Sequence, residues 1–360
     1  MTTTNNMTFK IAGAAGQGVE SSGAGFAQAL SRGGLHIFGL QDYMSRIRGG
    51  LNFYQIRVHE QPLYTHEDAV HILLPLNKEA LEAHQDELVA GGGVIYATGL
   101  KVDEGSVSGG GRKAMPVPLV DIAKEHGERV MANTAALGAA AGVADYSFER
   151  LADVIRQNFQ RKGAEVVAAN LRVARAAYNY AQEQYGADFE WKLQQVPDAP
   201  ERMVMAGNAA FALGALAGGC RFMSAYPMTP ATSIIEWLAK REHDYGVVTK
   251  HAEDEIAAIC MAIGANFAGA RAMTATSGGG FSLMAEALGL AGMNEVPLVV
   301  VEAQRGGPST GLPTRTEQSD LLFMIHASHG EFPRLMLAPG TIEECFECGW
   351  RAFNLAEKYQ

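Results

Sequence analysis

Glu255 is the carboxylate whose place in the sequence points most clearly to chemistry. It precedes the apolar run IAAICMAIGANFAGA, which predicts that Glu255 lies in the first turn of a helix buried on most sides. A buried carboxylate without a partner is costly, so a functional role is one interpretation. The alternative is a structural carboxylate that interacts favourably with the helix dipole. The spacing alone leaves both open.

Arg305 and the segment Ser277–Gly280 each follow an apolar run that predicts a strand. A cation at the end of a strand, beside the flexible pair Gly306-Gly307, is a candidate contact for an anion, and a solvated loop arginine is the alternative. The three glycines after Ser277 open a predicted helix. They either let a ligand or partner approach the backbone closely or form a simple turn.

Three further patterns have a chemical and a structural interpretation. Gly13–Gly18 lies between a predicted strand and helix, where a phosphate could bind, but it lacks the G-x-G-x-x-G spacing, and a tight turn is the favoured interpretation. The pair Cys345 and Cys348 has no second pair to complete four metal ligands, so a structural role in a helix is favoured. His251, Glu253 and Glu255 alternate across a predicted strand-to-helix transition, so a shared metal-binding face is not favoured and we predict no metal site.

Composition excludes several classes of function. The formal net charge is −10 with no basic stripe, which argues against nucleic-acid binding. No H-E-x-x-H or G-x-S-x-G motif is present, which argues against two classes of hydrolase. The first residues lack a signal-peptide pattern, and no apolar run reaches the roughly 18 residues of a membrane span. With only four cysteines, these features predict a cytoplasmic, reduced protein without a membrane partner.

Strands and helices alternate along the chain, which predicts α/β architecture. In the first part, with a substantially parallel sheet, the predicted elements are the strands Met7–Ala12, Leu51–His59, His71–Pro75 and Val94–Ala97, a turn at Gly91–Gly93, and the helices Val19–Ser31, Lys78–Leu88, Met131–Ala144 and Phe148–Gln184. In the second part they are the strands Cys220–Ala225, Val247–Lys250, Met273–Thr276 and Pro297–Glu302, and helices over Gly207–Leu216, Pro230–Lys240 and Glu255–Phe267, with another after Ser277. Pro197, Pro200 and weak periodicity predict a linker between the two parts.

Several long segments together resemble a known family. YPMTP at 226–230 and the stretches 251–321 and 326–346 resemble the α subunit of 2-oxoacid:ferredoxin oxidoreductases, most closely the 2-oxoglutarate type. GAAGQGVESSG at 13–23 and RIRGGLNFYQIRV at 46–58 resemble the family's γ domain, fused ahead of the α region. The resemblance covers nearly the whole chain.

The resemblance implies two α/β domains. These are a γ-type domain at 1–190, a linker at 191–202, and at 203–360 a doubly wound pyrimidine-binding module of the thiamine diphosphate-binding fold. Family α subunits continue into a further domain, so we expect a continuation beyond residue 360. The implied activity converts 2-oxoglutarate, coenzyme A and oxidised ferredoxin into succinyl-CoA, CO2 and reduced ferredoxin, in either direction. Pyruvate or branched-chain 2-oxoacids are alternative substrates, and a non-catalytic assembly subunit is the alternative role.

The resemblance also assigns roles to individual residues. Glu255 matches the glutamate that contacts N1′ of the thiamine pyrimidine ring, Thr229 a residue that hydrogen-bonds the substrate, and Arg305 the arginine that pairs with the substrate's carboxylate. The resemblance also implies cofactor contacts at Tyr226, Pro227, Ser277 and Gly278. Candidates for binding the distal carboxylate of 2-oxoglutarate are Arg46, Arg48 and Arg315.

The chain lacks the GDG motif for diphosphate and Mg2+, and its four cysteines cannot hold a [4Fe–4S] cluster. By resemblance, both belong to a separate β subunit in an (αβ)2 assembly that reduces ferredoxin. Thiamine diphosphate would be shared with that subunit, and coenzyme A would be a co-substrate.

Overall fold

The computed structural model describes residues 2–44 and 49–360, which fall into two units, Met1–Val204 and Met205–Gln360. Each unit has its own sheet and its own buried core. None of the helices in the described ranges has the length and apolar character required to cross a membrane.

The main sheet of the first unit has six strands in the spatial order β3-β4-β2-β5-β6-β7. The strands are β2 (Met7–Ala15), β3 (His36–Asp42), β4 (Gly49–His59), β5 (Val70–Pro75), β6 (Leu88–Ala97) and β7 (Lys113–Val117). The pairings of β4 with β2 and β3 are antiparallel, and those of β5 with β2 and β6, and of β6 with β7, are parallel. The prediction of a substantially parallel sheet is therefore correct only for β2, β5, β6 and β7. Strand β3, which was not predicted, precedes β4 and pairs with it in a hairpin, so β4 runs antiparallel to β2.

The helices of the first unit are α1 (Val19–Arg32), α2 (Lys78–His84), α3 (Glu104–Val107), α4 (Leu119–His126), α5 (Ala132–Val143), α6 (Phe148–Phe159) and α7 (Ala164–Ala181). The predicted buried helix of small residues is confirmed as α5, which is buried from Thr134 through Val143. The predicted long helical region Phe148–Gln184 is confirmed, but it is divided into α6 and α7, because Gly163 adopts φ 103° and interrupts it. The predicted turn at Gly91–Gly93 is also wrong, since these residues lie inside β6.

A small second sheet closes the end of the first unit. Strand β1 (Thr3–Thr4) pairs in parallel with β8 (Trp191–Lys192). Leu193, directly after β8, is buried in the same core. The segment 191–202, which the sequence predicts as a linker, thus begins with a paired strand and belongs to the first unit.

The second unit contains a four-stranded, fully parallel sheet with the spatial order β10-β9-β11-β12. Its strands are β9 (Phe222–Ala225), β10 (Val248–His251), β11 (Ala272–Thr276) and β12 (Val299–Glu302). After β10 the chain crosses to the other side of β9, so the strand order reverses between β9 and β11. Ligands of open α/β sheets usually bind beyond the carboxyl ends of the strands at such a switch point.

The helices of the second unit are α8 (Gly207–Ala217), α9 (Thr232–Ala239), α10 (Glu242–Tyr245), α11 (Glu255–Phe267), α12 (Gly278–Met293), α13 (Leu321–His326) and α14 (Ile342–Tyr359). Helix α11 has the predicted bounds. Helix α9 begins at Thr232 with Ala231 as its N-cap, so the predicted start at Pro230 is two residues too early. Helices α8 and α14 approach closely at Gly214. A Cβ added there would lie 2.0 Å from the carbonyl oxygen of Phe346.

Candidate active site at the carboxyl edge of the second sheet

The predicted site residues of the second unit follow the carboxyl ends of its four parallel strands. Tyr226–Pro230 follows β9, Glu255 follows β10, Ser277 follows β11 and Arg305 follows β12. Because all four strands run in the same direction, these loops meet at one edge of the sheet. The sheet therefore brings together residues that are up to about 80 positions apart in the sequence.

Glu255 is the first residue of α11 and is only 4% exposed. Asp254 caps the helix, since its side chain accepts a hydrogen bond of 2.7 Å from the backbone N–H of Ala257. The capping role is thus taken by Asp254. The Oε1 atom of Glu255 is buried and has no hydrogen-bond partner among residues 2–44 and 49–360. Such an atom is expected to have a partner from outside these residues, because a buried polar atom left unpaired is destabilising.

The first turn of α12 consists of three glycines that pack against side chains of the other loops. A Cβ added at Gly280 would lie 2.7 Å from Glu255 Oε1 and 2.1 Å from Thr276 Oγ1. A Cβ added at Gly278 would lie 2.5 Å from the carboxyl group of Asp320. Gly279, between them, is exposed and has no atom nearer than 3.8 Å to such a Cβ. Gly278 and Gly280 therefore leave no room for a side chain, and only glycine allows the start of α12 to pack this closely against these groups.

Arg305 joins the loops that follow β12 and β9. Its Nη1 atom donates a 2.8 Å hydrogen bond to the carbonyl oxygen of Thr229, and its side chain is buried at 6% exposure. Its own carbonyl oxygen accepts a 2.9 Å hydrogen bond from Ser319 Oγ. This burial contradicts the alternative of a solvated loop arginine. One guanidinium contact is to a backbone carbonyl, and an arginine has five N–H groups, so it can also bind an anion.

Glu302 and Asp320 form an acidic pair at this edge that was not predicted from the sequence. Glu302 is the last residue of β12, and Asp320 directly precedes α13. Burial first, and then the neighbouring Asp320 carboxyl, raise the pKa of Glu302, while Arg305 and the Gly278 N–H partly oppose this, and the result is a pKa of about 8. A carboxylate that ends an apolar strand, as Glu302 does, was the signal in the sequence that could have identified it.

The remaining predicted residues differ in their surroundings. Ser277 is fully buried and its Oγ has no hydrogen-bond partner within the described part of the chain. Tyr226 is 39% exposed, Pro227 is half-buried, and Arg315 is exposed. Arg46 and Arg48 lie outside the described residues. The cofactor and substrate roles of all these residues stay predictions.

Two of the patterns with alternative interpretations have structural explanations. The Gly13–Gly18 loop is bound by its own Gln17, whose Oε1 accepts hydrogen bonds from Ala14 N–H and Asn77 Nδ2. Cys345 and Cys348 lie in α14 as free cysteines. In the ranges 2–44 and 49–360, no group of three or more His, Cys, Asp or Glu residues has the arrangement of a metal site.

Comparison with known protein families assigns both units. Residues 213–360 match the family described as "Pyruvate flavodoxin/ferredoxin oxidoreductase, thiamine diP-bdg". Residues 8–180 match the family described as "Pyruvate ferredoxin/flavodoxin oxidoreductase". The second unit is thus a thiamine diphosphate-binding module like that of pyruvate flavodoxin/ferredoxin oxidoreductases. The first unit matches another domain of pyruvate ferredoxin/flavodoxin oxidoreductases.

Individual relatives agree along nearly the whole chain. The α subunit of the 2-oxoacid:ferredoxin oxidoreductase of Saccharolobus solfataricus is 33% identical, over 98% of this chain and 63% of the relative. The 2-oxoglutarate oxidoreductase subunit KorA of Mycobacterium tuberculosis is 34% identical, over 98% of this chain and 59% of the relative. Close homologues of this chain are thus α subunits of 2-oxoacid:ferredoxin oxidoreductases. The chain spans about three fifths of the length of these relatives.

A solved structure has the same fold. The 2-oxoglutarate:ferredoxin oxidoreductase from Magnetococcus marinus, with 2-oxoglutarate, coenzyme A and succinyl-CoA bound, superimposes with a TM-score of 0.91 at 37% sequence identity. The match covers 98% of this chain and 61% of that chain. This similarity supports the predicted fold class of two α/β domains, with the thiamine diphosphate-binding module second.

Proposed function

We propose that this chain is the catalytic α subunit of a 2-oxoglutarate:ferredoxin oxidoreductase. The reaction converts 2-oxoglutarate, coenzyme A and oxidised ferredoxin into succinyl-CoA, CO2 and reduced ferredoxin. The observation that carries the proposal is the unpaired Oε1 of Glu255, buried beside Gly280 at the switch point of a thiamine diphosphate-binding fold. The similarity to KorA proteins and to the Magnetococcus marinus enzyme supports 2-oxoglutarate as the substrate.

The residues at this edge fit the pyrimidine end of thiamine diphosphate. Glu255 offers a buried carboxyl oxygen without a partner, and the glycine turn beside it leaves backbone accessible where side chains would obstruct a ring. Tyr226, Pro227, Ser277 and Gly278 surround this point in our assignment. When bound, the cofactor supplies the carbanion-stabilising chemistry needed to decarboxylate a 2-oxoacid. Glu255 would hold and exchange a proton with the ring nitrogen, and the buried, capped start of α11 fixes the carboxyl in place.

Arg305 and Thr229 would orient the substrate. The buried guanidinium keeps N–H groups available for the carboxylate next to the reacting carbonyl, and its hydrogen bond to Thr229 fixes its direction. Arg46, Arg48 and Arg315 are our candidates for the distal carboxylate. The Saccharolobus relative is described only as a 2-oxoacid enzyme, so pyruvate or a branched-chain 2-oxoacid is the second candidate substrate. Competition between these 2-oxoacids, in wild type and in the three arginine variants, distinguishes them. Unchanged discrimination in all three variants would contradict the assignment of the distal carboxylate.

The partners are part of the same proposal, because the relatives are named as α subunits of oxidoreductases. We infer a separate β subunit that provides the diphosphate–Mg2+ site and a [4Fe–4S] cluster, an (αβ)2 assembly, and ferredoxin as electron acceptor in the cytoplasm. Mass analysis of the native complex tests this. Iron and thiamine diphosphate that co-purify with a second polypeptide support it, and a lone chain without either indicates a non-catalytic assembly subunit.

The test of the proposed mechanism is Glu255→Gln in the assembled complex. We expect turnover to fall by about 10²–10⁴-fold, the range for loss of a positioned proton-transfer group, while assembly is retained. The matched control is Glu253→Gln, because Glu253 is an exposed carboxylate two residues away. Wild-type turnover in Glu255→Gln would overturn the proposed function.

A further inference from the structure

The acidic pair Glu302 and Asp320 contains three buried oxygens without a donor. Both Oε atoms of Glu302 and Oδ2 of Asp320 have no hydrogen-bond partner within residues 2–44 and 49–360. The resemblance gave neither residue a role. Two adjacent carboxylates are both acceptors, so they can form a hydrogen bond to each other only if one is protonated.

The surroundings of the pair favour a net charge of one. The groups that act on Glu302 are Asp320 before α13, Arg305 in the loop after β12, and the Gly278 N–H at the start of α12. Asp320 packs directly on Gly278, so the two acids and the end of the helix form one cluster. One arginine and one helix end stabilise a single negative charge, but a second charge in this partly buried cluster is unfavourable.

We propose that Glu302 and Asp320 share one proton, and that the hydrogen bond it makes fastens the segment 319–320 to the end of β12 and so positions Arg305. Both are positioning residues, and the proton simply moves between two carboxyl oxygens without any covalent or redox step. The effect on substrate, but not the shared proton, rests on the proposed function.

The connection to Arg305 is direct. Ser319, the neighbour of Asp320, donates its hydroxyl proton to the Arg305 carbonyl, and Arg305 in turn donates to Thr229. Loss of the shared proton would place two carboxylates against each other and release the segment that holds the Arg305 backbone. The pair therefore couples the position of the arginine to pH.

The sign and size of this effect follow from the pKa of Glu302, which burial and the adjacent Asp320 carboxyl together raise to about 8. Below that pH the shared proton is present and Arg305 is held in place. One unit above it, at about pH 9, roughly one molecule in eleven keeps the proton. If the substrate binds only that form, its KM rises about tenfold.

The experiment uses the assembled complex with 2-oxoglutarate as the probe. In wild type we expect the KM to rise about tenfold between pH 7 and pH 9 with little change in kcat. In Glu302→Gln the amide can donate to Asp320 at every pH, so the rise should disappear. Asp320→Asn should also remove it, and serves if the first variant does not assemble. The control is Glu286→Gln, an exposed carboxylate on α12 that should keep the wild-type profile.

Difference infrared spectroscopy separates this inference from the proposed function, because it requires no turnover. A protonated-carboxyl band that is present at pH 7, disappears at high pH and is absent from Glu302→Gln supports the shared proton. A wild-type complex without that band, or a KM rise that persists unchanged in both variants, overturns the inference.

Discussion

Replacing Gly280 by alanine tests the close contact between the glycine turn and Glu255. The added Cβ would lie 2.1 Å from Thr276 Oγ1, 2.6 Å from Glu255 Cγ and 2.7 Å from Glu255 Oε1. Thr276 is fully buried, and Glu255 Cγ lies close to the backbone, so neither can move away freely. Overpacking of this kind costs about 1–3 kcal/mol.

Alanine is also a better helix former than glycine by up to about 1 kcal/mol, which offsets part of this loss. We therefore expect Gly280→Ala to lower the free energy of unfolding by about 1–2 kcal/mol. The matched control is Gly279→Ala, where the new Cβ meets nothing nearer than 3.8 Å. That variant should gain about 0.5–1 kcal/mol. The two variants should thus differ by about 2 kcal/mol, although they make the same chemical change at adjacent positions.

Urea denaturation of the purified chain measures the two free energies, and hydrogen exchange of the α12 amides shows whether the change is local. In the assembled complex, Gly280→Ala should also reduce turnover, because it displaces the carboxyl of Glu255, whereas Gly279→Ala should remain active. Equal stability changes in the two variants would refute the reasoning, since only the contacts of the new methyl group distinguish them.

Two further predictions concern residues outside the candidate site, the first on the ion pairs of Glu87 and the second on helix packing at Gly214. Lys10 and His84 both pair with the Glu87 carboxylate. Burial raises the Glu87 pKa, but the hydrogen bonds and charges of these two residues outweigh burial and lower it. Because the carboxylate is partly exposed to solvent, Glu87→Gln should destabilise the first unit by about 1 kcal/mol at pH 7. This loss should shrink as the pH falls through the acidic range, and a pH-independent loss in urea titrations would contradict it. Gly214→Ala, whose Cβ would meet the Phe346 carbonyl oxygen at 2.0 Å, should destabilise the second unit by about 1–3 kcal/mol. The control Gly264→Ala, with no atom within 4 Å, should stabilise by about 0.5–1 kcal/mol, and calorimetry that ranks the two in the opposite order would contradict this.

The second unit was the more predictable one, because strands β9, β11 and β12 are mainly apolar and are followed by residues that can do chemistry. Helix α11 could be bounded correctly because a long, largely apolar run follows Glu255 directly. In the first unit, strand β3 was overlooked because its residues are only half-buried and do not alternate clearly. The break between α6 and α7 depends on the positive φ of one glycine, which hydrophobic periodicity does not reveal.

At the candidate site, the sequence predicted residues but not their pairing. Glu255 and Arg305 were identified by position, yet the contact of Glu255 with Gly280 depends on the distance between two helices. The Glu302 and Asp320 pair joins residues 18 positions apart across a loop. Pairing of this kind is a property of the tertiary structure, so a single sequence carries no period that could predict it.

The glycine turn of α12 has a consequence for how mutations at the site combine. Its two ends lie close to different acids, Glu255 at Gly280 and Asp320 at Gly278, so the dipole of one helix start acts on both. Any change that shifts the start of α12 toward one acid alters the field at the other. Substitutions at the two acids are therefore energetically coupled, and their effects on stability do not add as those of distant residues do. The start of α12 thus links the two acids electrostatically, so a substitution at one acid changes the environment of the other.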